Sequence, residues 1–185
     1  ANTINAIEEG ITHIQGTING IGERTGNADL IPIIANLQLK KNLICINPNK
    51  INQLKHISNF VYEIMNLRPE KKQPYVGDSA FAHKGGMHAD AVNKEPKTYE
   101  HIEPHTTGNL RRIIASDLSG KSNIISKAKE FNIKLTDEEA KKITKIIKEK
   151  ESKGYHYEAA DASFALLMLK NTNQKNLLFK TEKFK

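Results

Sequence analysis

The sequence predicts an α/β fragment, one βα unit followed by a mostly α-helical region. Three observations predict it. A short apolar run, "ITHIQGT" (11–17), leads into a glycine-rich loop, "GTINGIGERTGNA" (16–28). An apolar-periodic stretch opens directly after that loop, giving the order strand, loop, helix. Beyond residue 46 the apolar residues recur at helical rather than alternating spacing, so helices dominate the remainder.

In chain order, Ile4 and Ile7 lie on one side of a helical pattern over residues 1–9 that stops at Gly10. The sequence opens inside that pattern, so the helix is expected to start upstream. Residues 11–17 are the expected strand. From Ala28 a second helix carries Leu30, Ile33, Ile34 and Leu37, with Asn27 or Thr25 available as its cap and Pro32 acceptable only in the first turn. A lone βα unit cannot bury both faces, so this first helix pair is expected to leave an apolar face exposed. Ile51, Leu54, Ile57, Phe60, Val61, Ile64 and Met65 then trace an amphipathic helix ended by Pro69. Residues 70–109 form a long polar tract without sustained period. Its aromatic and histidine content argues for a functional loop rather than disorder. Three helices close the chain, over 122–131, 136–153 and 157–169. The second is opened by the capping box "TDEE" and stopped before Gly154. Residues 171–185 alternate weakly and read as a further strand or a frayed tail.

Composition limits the classes. The 185 residues, 38% hydrophobic and 26% charged, make one ordinary domain or two small ones. A formal charge of +7 points to anionic partners, but the lysines are spread along helices and no recognised nucleic-acid motif accompanies them, so no nucleic acid is expected as partner. The single cysteine, Cys45, excludes an internal disulfide and reads as a small buried hydrophobe in a reducing compartment. No apolar run is long enough to span a membrane and no signal peptide is visible, so the expectation is a cytoplasmic protein without membrane contact.

The glycine loop is the first candidate site. A βα loop gathers backbone amides and a helix N-terminus, and glycines 16, 20, 22 and 26 let a backbone approach a ligand or take positive φ. The carbonyl oxygen of Asn27 can ligate a hard divalent cation, although the plain structural role for an asparagine here is a helix cap. Glu23 and Arg24 fit either a solvated ion pair or a polar ligand, and spacing does not choose between them. His83 and His88 in "HKGGMH" are five apart and share no helical face, which disfavours a two-histidine zinc site. A structural hydrogen bond is the plain reading for His83. Asp90 reads as a solvated helix carboxylate or a substrate contact, and Tyr99 as packing or as a hydroxyl donor. His13, His56, His101, His105 and His156 read as surface or core residues. Arg111 and Arg112 suit either phosphate binding or carboxylates at a subunit interface.

"GTINGIGERTGNADL" closely resembles the last strand and loop of the acyl-CoA carboligases of the isopropylmalate, homocitrate and citramalate synthase superfamily. "VGDSAFAHKGGMHADAV", "TYEHIEPHTTGN", "SDLSGKSNI" and "GYHYEAADASF" follow in the family's order and are similar to its citramalate branch. The resemblance implies a TIM barrel holding one divalent metal, with Mn, Mg and Zn not distinguished. A barrel needs eight strands and about 250 residues. It therefore implies that residues 1–45 are the end of the barrel, 46–170 helical linker subdomains, and 171–185 the start of a connection to a regulatory domain. The other metal ligands of the family, an aspartate and a His-x-His pair, belong to sequence before residue 1. By the same resemblance Asn27 matches the metal-ligating asparagine. His88 and Tyr99 match the catalytic pair that reaches into the partner's barrel in a homodimer, while Glu23 and Asp90 lie toward acetyl-CoA and the 2-oxo acid. The implied reaction joins acetyl-CoA to pyruvate in isoleucine biosynthesis, with isopropylmalate or homocitrate formation as the alternative within the family and a non-catalytic helical dimerisation module as the alternative outside it.

Overall fold

A computed structural model describes residues 1–84, 86–114, 120–157 and 160–172. It divides the chain into two units, Ala1–Ala82 with Glu100–Arg112, and His83–Tyr99 with the described residues from Ile113 onward. A boundary near residue 45 falls inside the first unit.

The first unit contains helices α1 (Asn2–Glu8), α2 (Leu30–Lys40) and α3 (Leu54–Ile64), the last preceded by a 3-10 turn over Pro48–Gln53. Its core gathers Ile31 and Ala35 from α2, Ile51 and Leu54 from the start of the α3 segment, and Tyr75 and Val76 from the tract beyond it. Burying a side chain such as Ile31, wholly inaccessible, contributes about 1.5–3 kcal/mol. The α2 cap is neither Asn27 nor Thr25. Asp29 takes that role, its Oδ1 accepting from the Ile31 N–H at 2.9 Å, and Pro32 follows within the first turn, where a missing N–H costs nothing.

Three expectations are corrected in this unit. Residues 11–16 form no strand. A parallel strand needs a ladder on its neighbours, and among the described residues the only pairing here is an isolated bridge between Thr17 and Asp29. Nor does the exposed apolar face lie on α2 of the first helix pair, where Ile31, Ile33, Ala35 and Leu37 are buried, Ile31 and Ala35 in one core with Ile51, Leu54, Tyr75 and Val76 of the downstream chain. It lies on α3, where Ile57, Phe60 and Ile64 remain in solvent. Cys45 is exposed rather than buried. It sits in the irregular stretch after α2, with its Sγ 3.8 Å from Gln38 Oε1.

The polar tract is ordered through its own buried amides. Asn109, 1% exposed, donates from Nδ2 to the Tyr75 and Gly77 carbonyls at 3.0 and 2.9 Å, while its Oδ1 accepts from Lys55 Nζ and the Leu110 N–H at 2.8 Å each. All the bonding capacity of this side chain is used. Lys55 also pairs with Asp78 at 2.7 Å, and that ammonium holds the Asp78 carboxyl below its ordinary value.

The second unit contains α4 (Gly86–Lys94), α5 (Lys121–Glu130), α6 (Asp137–Glu151) and α7 (Asp161–Lys170). Its core joins Ile124 and Ala128 to Ala140, Ile143 and Ile147 and to Phe164, Leu167 and Met168. The capping box at Thr136 forms as expected. Thr136 Oγ1 accepts from the Glu139 N–H at 3.2 Å, and Glu139 Oε2 accepts from the Thr136 N–H at 2.9 Å. The α6 segment ends at Gly154, in the left-handed region at φ +89°. Helix α4 was not expected, because nine residues that open on Gly86 and hold few apolar positions carry little periodicity. It is held by Ala89 and Val92, both fully buried, and by packing on α5. Two short strands, β1 (Ala82–His83) and β2 (Arg112–Ile113), pair with each other. Parts of "SDLSGKSNI" and "GYHYEAADASF", and the tail from 173, lie outside the described residues.

Candidate functional site

The glycine loop is closed at its base by the backbone. The Thr17 N–H donates to Ala28 O at 3.0 Å, the Leu30 N–H to Thr17 O at 2.9 Å, and the Asn27 N–H to Gly20 O at 2.9 Å. Within this frame the Asn27 amide nitrogen donates to Ile21 O at 3.2 Å, which leaves Oδ1 as the atom able to meet a cation. Asp29 caps α2, so the asparagine is free of the structural role its position suggested. The glycines serve the loop's own packing. A Cβ at Gly22 would stand 2.2 Å from Asn27 Nδ2, and Gly26 takes φ +93° where a Cβ would meet Gly20 O at 2.4 Å.

Glu23, Arg24, Thr25, Gly26 and Asn27 line an open cleft of about 560 Å³. Among the described residues no ion pair joins Glu23 to Arg24, so both side chains face solvent at its rim. The donor chemistry fits one ligand of a hard cation: a neutral amide oxygen beside a carboxylate. It does not make a full set, since among the described residues no three His, Cys, Asp or Glu side chains come together.

A buried polar cluster fixes where this loop stands, and sequence reasoning missed it. Asn19, in the left-handed region at φ 61°, accepts at Oδ1 from Ser58 Oγ at 2.6 Å and from Gln73 Nε2 at 3.1 Å, and donates from Nδ2 to Ser58 O at 2.9 Å. Gln73 Nε2 also donates to Asp29 Oδ2 at 2.9 Å. Ser58 and Gln73 are 1% and 6% exposed. The one local signal was Asn19 beside a glycine, since asparagine tolerates left-handed backbone. Gln73 carried none, because its partners lie 44 and 54 residues away.

In the second unit the structure brings His88 and Tyr99 together. Their ring centroids are 4.4 Å apart with planes inclined at 34°, and both side chains are exposed. His88 stands in the first turn of α4. Tyr99 is delivered by the 3-10 turn Pro96–Thr98, which Glu95 caps by accepting from the Lys97 N–H at 3.2 Å and which the Tyr99 N–H closes onto Pro96 O at 3.2 Å. Behind Tyr99 lies the ring of His83, buried and edge-on at 6.4 Å. The three rings form a row from interior to surface. An imidazole and a phenol held in contact at a surface can move a proton and donate a hydrogen bond to the same reacting molecule.

Asp90 is not part of that row. Two helical residues apart, His88 and Asp90 point about 200° away from each other, and Asp90 pairs with Lys94 at 2.7 Å. Asn27 and Glu23 belong to the first unit, His88, Tyr99 and Asp90 to the second. Arg111 is corrected: its carboxylate belongs to this chain. It clasps Glu100 through Nε at 2.7 Å and Nη2 at 2.6 Å, with the Glu100 side chain 2% exposed, and that carboxylate raises the guanidinium pKa.

Two family descriptions match the chain in order, HMGL-like over residues 1–61 and homocitrate synthase post-HMGL domain-like over residues 75–155. The first carries the TIM-barrel superfamily. The (R)-citramalate synthase of Geobacter sulfurreducens is 52% identical over 170 residues, covering 91% of this chain and 32% of that protein. That of Synechocystis sp. is 48% identical over 186 residues, 100% of this chain and 34% of that protein. The mitochondrial homocitrate synthase of Schizosaccharomyces pombe is 36% identical over 149 residues, 80% and 36% respectively. The chain spans about a third of the length of these relatives. With both descriptions matched in chain order and about half of all positions shared with citramalate synthases along its length, the chain belongs to the citramalate, isopropylmalate and homocitrate synthase family.

Proposed function

We propose that this chain is the barrel end and linker region of an acyltransferase that condenses acetyl-CoA with pyruvate to (R)-citramalate, in isoleucine biosynthesis. The observation that carries the reading is the gradient of identity. Five relatives named (R)-citramalate synthase stand at 45–52% and a sixth at 37%. Relatives named isopropylmalate and homocitrate synthase stand at 36%. In this reading residues 1–45 end the barrel, 46–170 form the linker and 171–185 lead onward.

Asn27 would hold a divalent cation through Oδ1, and such an ion, when bound, polarises a ketone as a Lewis acid. Glu23 at the rim of the same cleft, and Asp90 on α4, orient the substrates' polar groups. The His88 imidazole accepts the proton leaving the acetyl methyl group, and the Tyr99 hydroxyl donates a hydrogen bond to the oxygen on which negative charge develops. The reading includes a cytoplasmic homodimer in which this pair serves the partner's barrel. The exposed apolar face of α3 and the free thiol of Cys45 are compatible with it.

The test is carbon–carbon bond formation by the full-length protein with acetyl-CoA and either pyruvate or 2-oxoisovalerate. A kcat/KM for pyruvate at least tenfold above that for 2-oxoisovalerate is expected. The reverse preference replaces the reading with an isopropylmalate synthase.

A further inference from the structure

We infer that Gln73 is a positioning residue that sets the geometry of the Asn27 loop and thereby its affinity for a divalent cation, an inference that rests on the reading of Asn27 as a ligand. The loop leaves the body of the first unit at Asn19 and returns at Asp29. A single nitrogen, Gln73 Nε2, bonds to both ends, to Asn19 Oδ1 at 3.1 Å and to Asp29 Oδ2 at 2.9 Å. Everything that carries Asn27 lies between these two points, including Ile21, whose carbonyl receives the Asn27 amide, and Gly20, whose carbonyl receives its N–H.

The clamp is rigid because it is dry and itself held. Gln73 is 6% exposed, and Ser58 Oγ, 1% exposed, lies 3.2 Å from its Oε1 and 2.6 Å from Asn19 Oδ1. Its backbone is bonded on both sides, the N–H to Glu70 O at 3.2 Å and the carbonyl to the Gly77 N–H at 2.9 Å. Asp29 has two tasks. One oxygen caps α2 and the other takes the clamp, so the helix start and the loop spacing are tied to one carboxylate. Gln73 touches no candidate ligand atom. It acts through the separation of the loop's ends, as supporting partners of metal ligands do, and their loss typically costs 10–100-fold in metal affinity.

Mn²⁺ binding to the full-length protein, followed by the electron paramagnetic resonance of free Mn²⁺ and by calorimetry, tests this without recourse to turnover. Gln73→Met keeps the length and loses both donors, and a Kd about 10–100-fold weaker is expected. Asn19→Gly is a milder second variant, since glycine keeps the left-handed backbone while removing the contacts to Ser58 and Gln73. It is expected to weaken Mn²⁺ several-fold, and it decides the matter should Gln73→Met not fold. Asn109→Ala, in another polar cluster of the same unit, is expected to lower thermal stability yet leave the Mn²⁺ Kd within twofold. Asn27→Ala is measured beside them. Loss of Mn²⁺ in Asn27→Ala with wild-type affinity in Gln73→Met and Asn19→Gly overturns the clamp alone. Wild-type affinity in Asn27→Ala overturns the ligand reading and the clamp with it.

Discussion

The imidazole of His88 and the phenol of Tyr99 meet at a ring-centroid separation of 4.4 Å, eleven residues apart in sequence, across the length of α4 and the 3-10 turn after it. The helix is anchored by Ala89 and Val92, whereas the two rings stand outside the core. Chemistry and folding are thereby separated. In the full-length protein His88→Ala and Tyr99→Phe are each expected to lower kcat by about 10²–10⁴-fold while moving the thermal midpoint little. Steady-state kinetics beside thermal unfolding checks both halves.

The glycine loop offers a second, steric test. Gly22 leaves space for the Asn27 amide, and a methyl there would stand 2.2 Å from Nδ2. Gly22→Ala is expected to displace Asn27 from Ile21 O and to weaken divalent-cation binding at least tenfold, and the same is expected of direct loss of the amide in Asn27→Ala. Isothermal titration of both variants with Mn²⁺ reads the effect. Intact binding in Gly22→Ala would mean that the observed amide orientation is irrelevant to the cation.

Asp78 gives a pH dependence with a defined sign. Hydrogen bonding and attraction from Lys55 keep the folded carboxyl below its ordinary value, so its pKa is lower folded than unfolded. The stabilisation is present above the unfolded value of about 3.9 and is lost as pH falls through it toward the folded value. The stability advantage of the wild type over Asp78→Asn in urea unfolding is therefore expected at pH 6 and to shrink steadily below about pH 4. An advantage that grows on acidification contradicts the assignment.

Arg111 distinguishes architecture from ligand binding. Its fork is occupied by the buried carboxylate of Glu100 at 2.6 and 2.7 Å. Arg111→Ala strips that carboxylate of its guanidinium, and a loss of about 2–4 kcal/mol is expected, near the lower range for breaking a buried pair because the arginine is partly solvated. Arg111→Lys recovers only part, since an ammonium cannot reproduce the two-pronged contact. The KM for acetyl-CoA is expected to stay within twofold in Arg111→Lys. A tenfold rise would return the residue to phosphate binding.

Helix α6 and its capping box were legible because every participant lies within a few residues: Thr136, Glu139, the repeating isoleucines and Gly154. So was the existence of α3, whose apolar residues recur at helical spacing. The strand over 11–17 was misread because alternation describes a residue's fitness for a sheet, while the sheet itself is supplied by neighbours. Helix α4 escaped because its stability rests on two buried small apolar residues and on packing against its neighbours, not on its own periodicity.

The candidate site divides the same way. The residue types were set locally: an asparagine at the end of a glycine loop, a histidine and a tyrosine in quoted motifs, and the carboxylates Glu23 and Asp90 within four residues of Asn27 and His88. Folding alone decided their roles, giving the helix cap to Asp29, the amide of Asn27 to Ile21, the guanidinium of Arg111 to Glu100, and the loop's two ends to Gln73. The physical reason is range. Helical spacing and caps act over about four residues and can be read along a line, whereas a buried hydrogen bond takes whichever partner the packed chain places within about 3 Å, however distant in sequence.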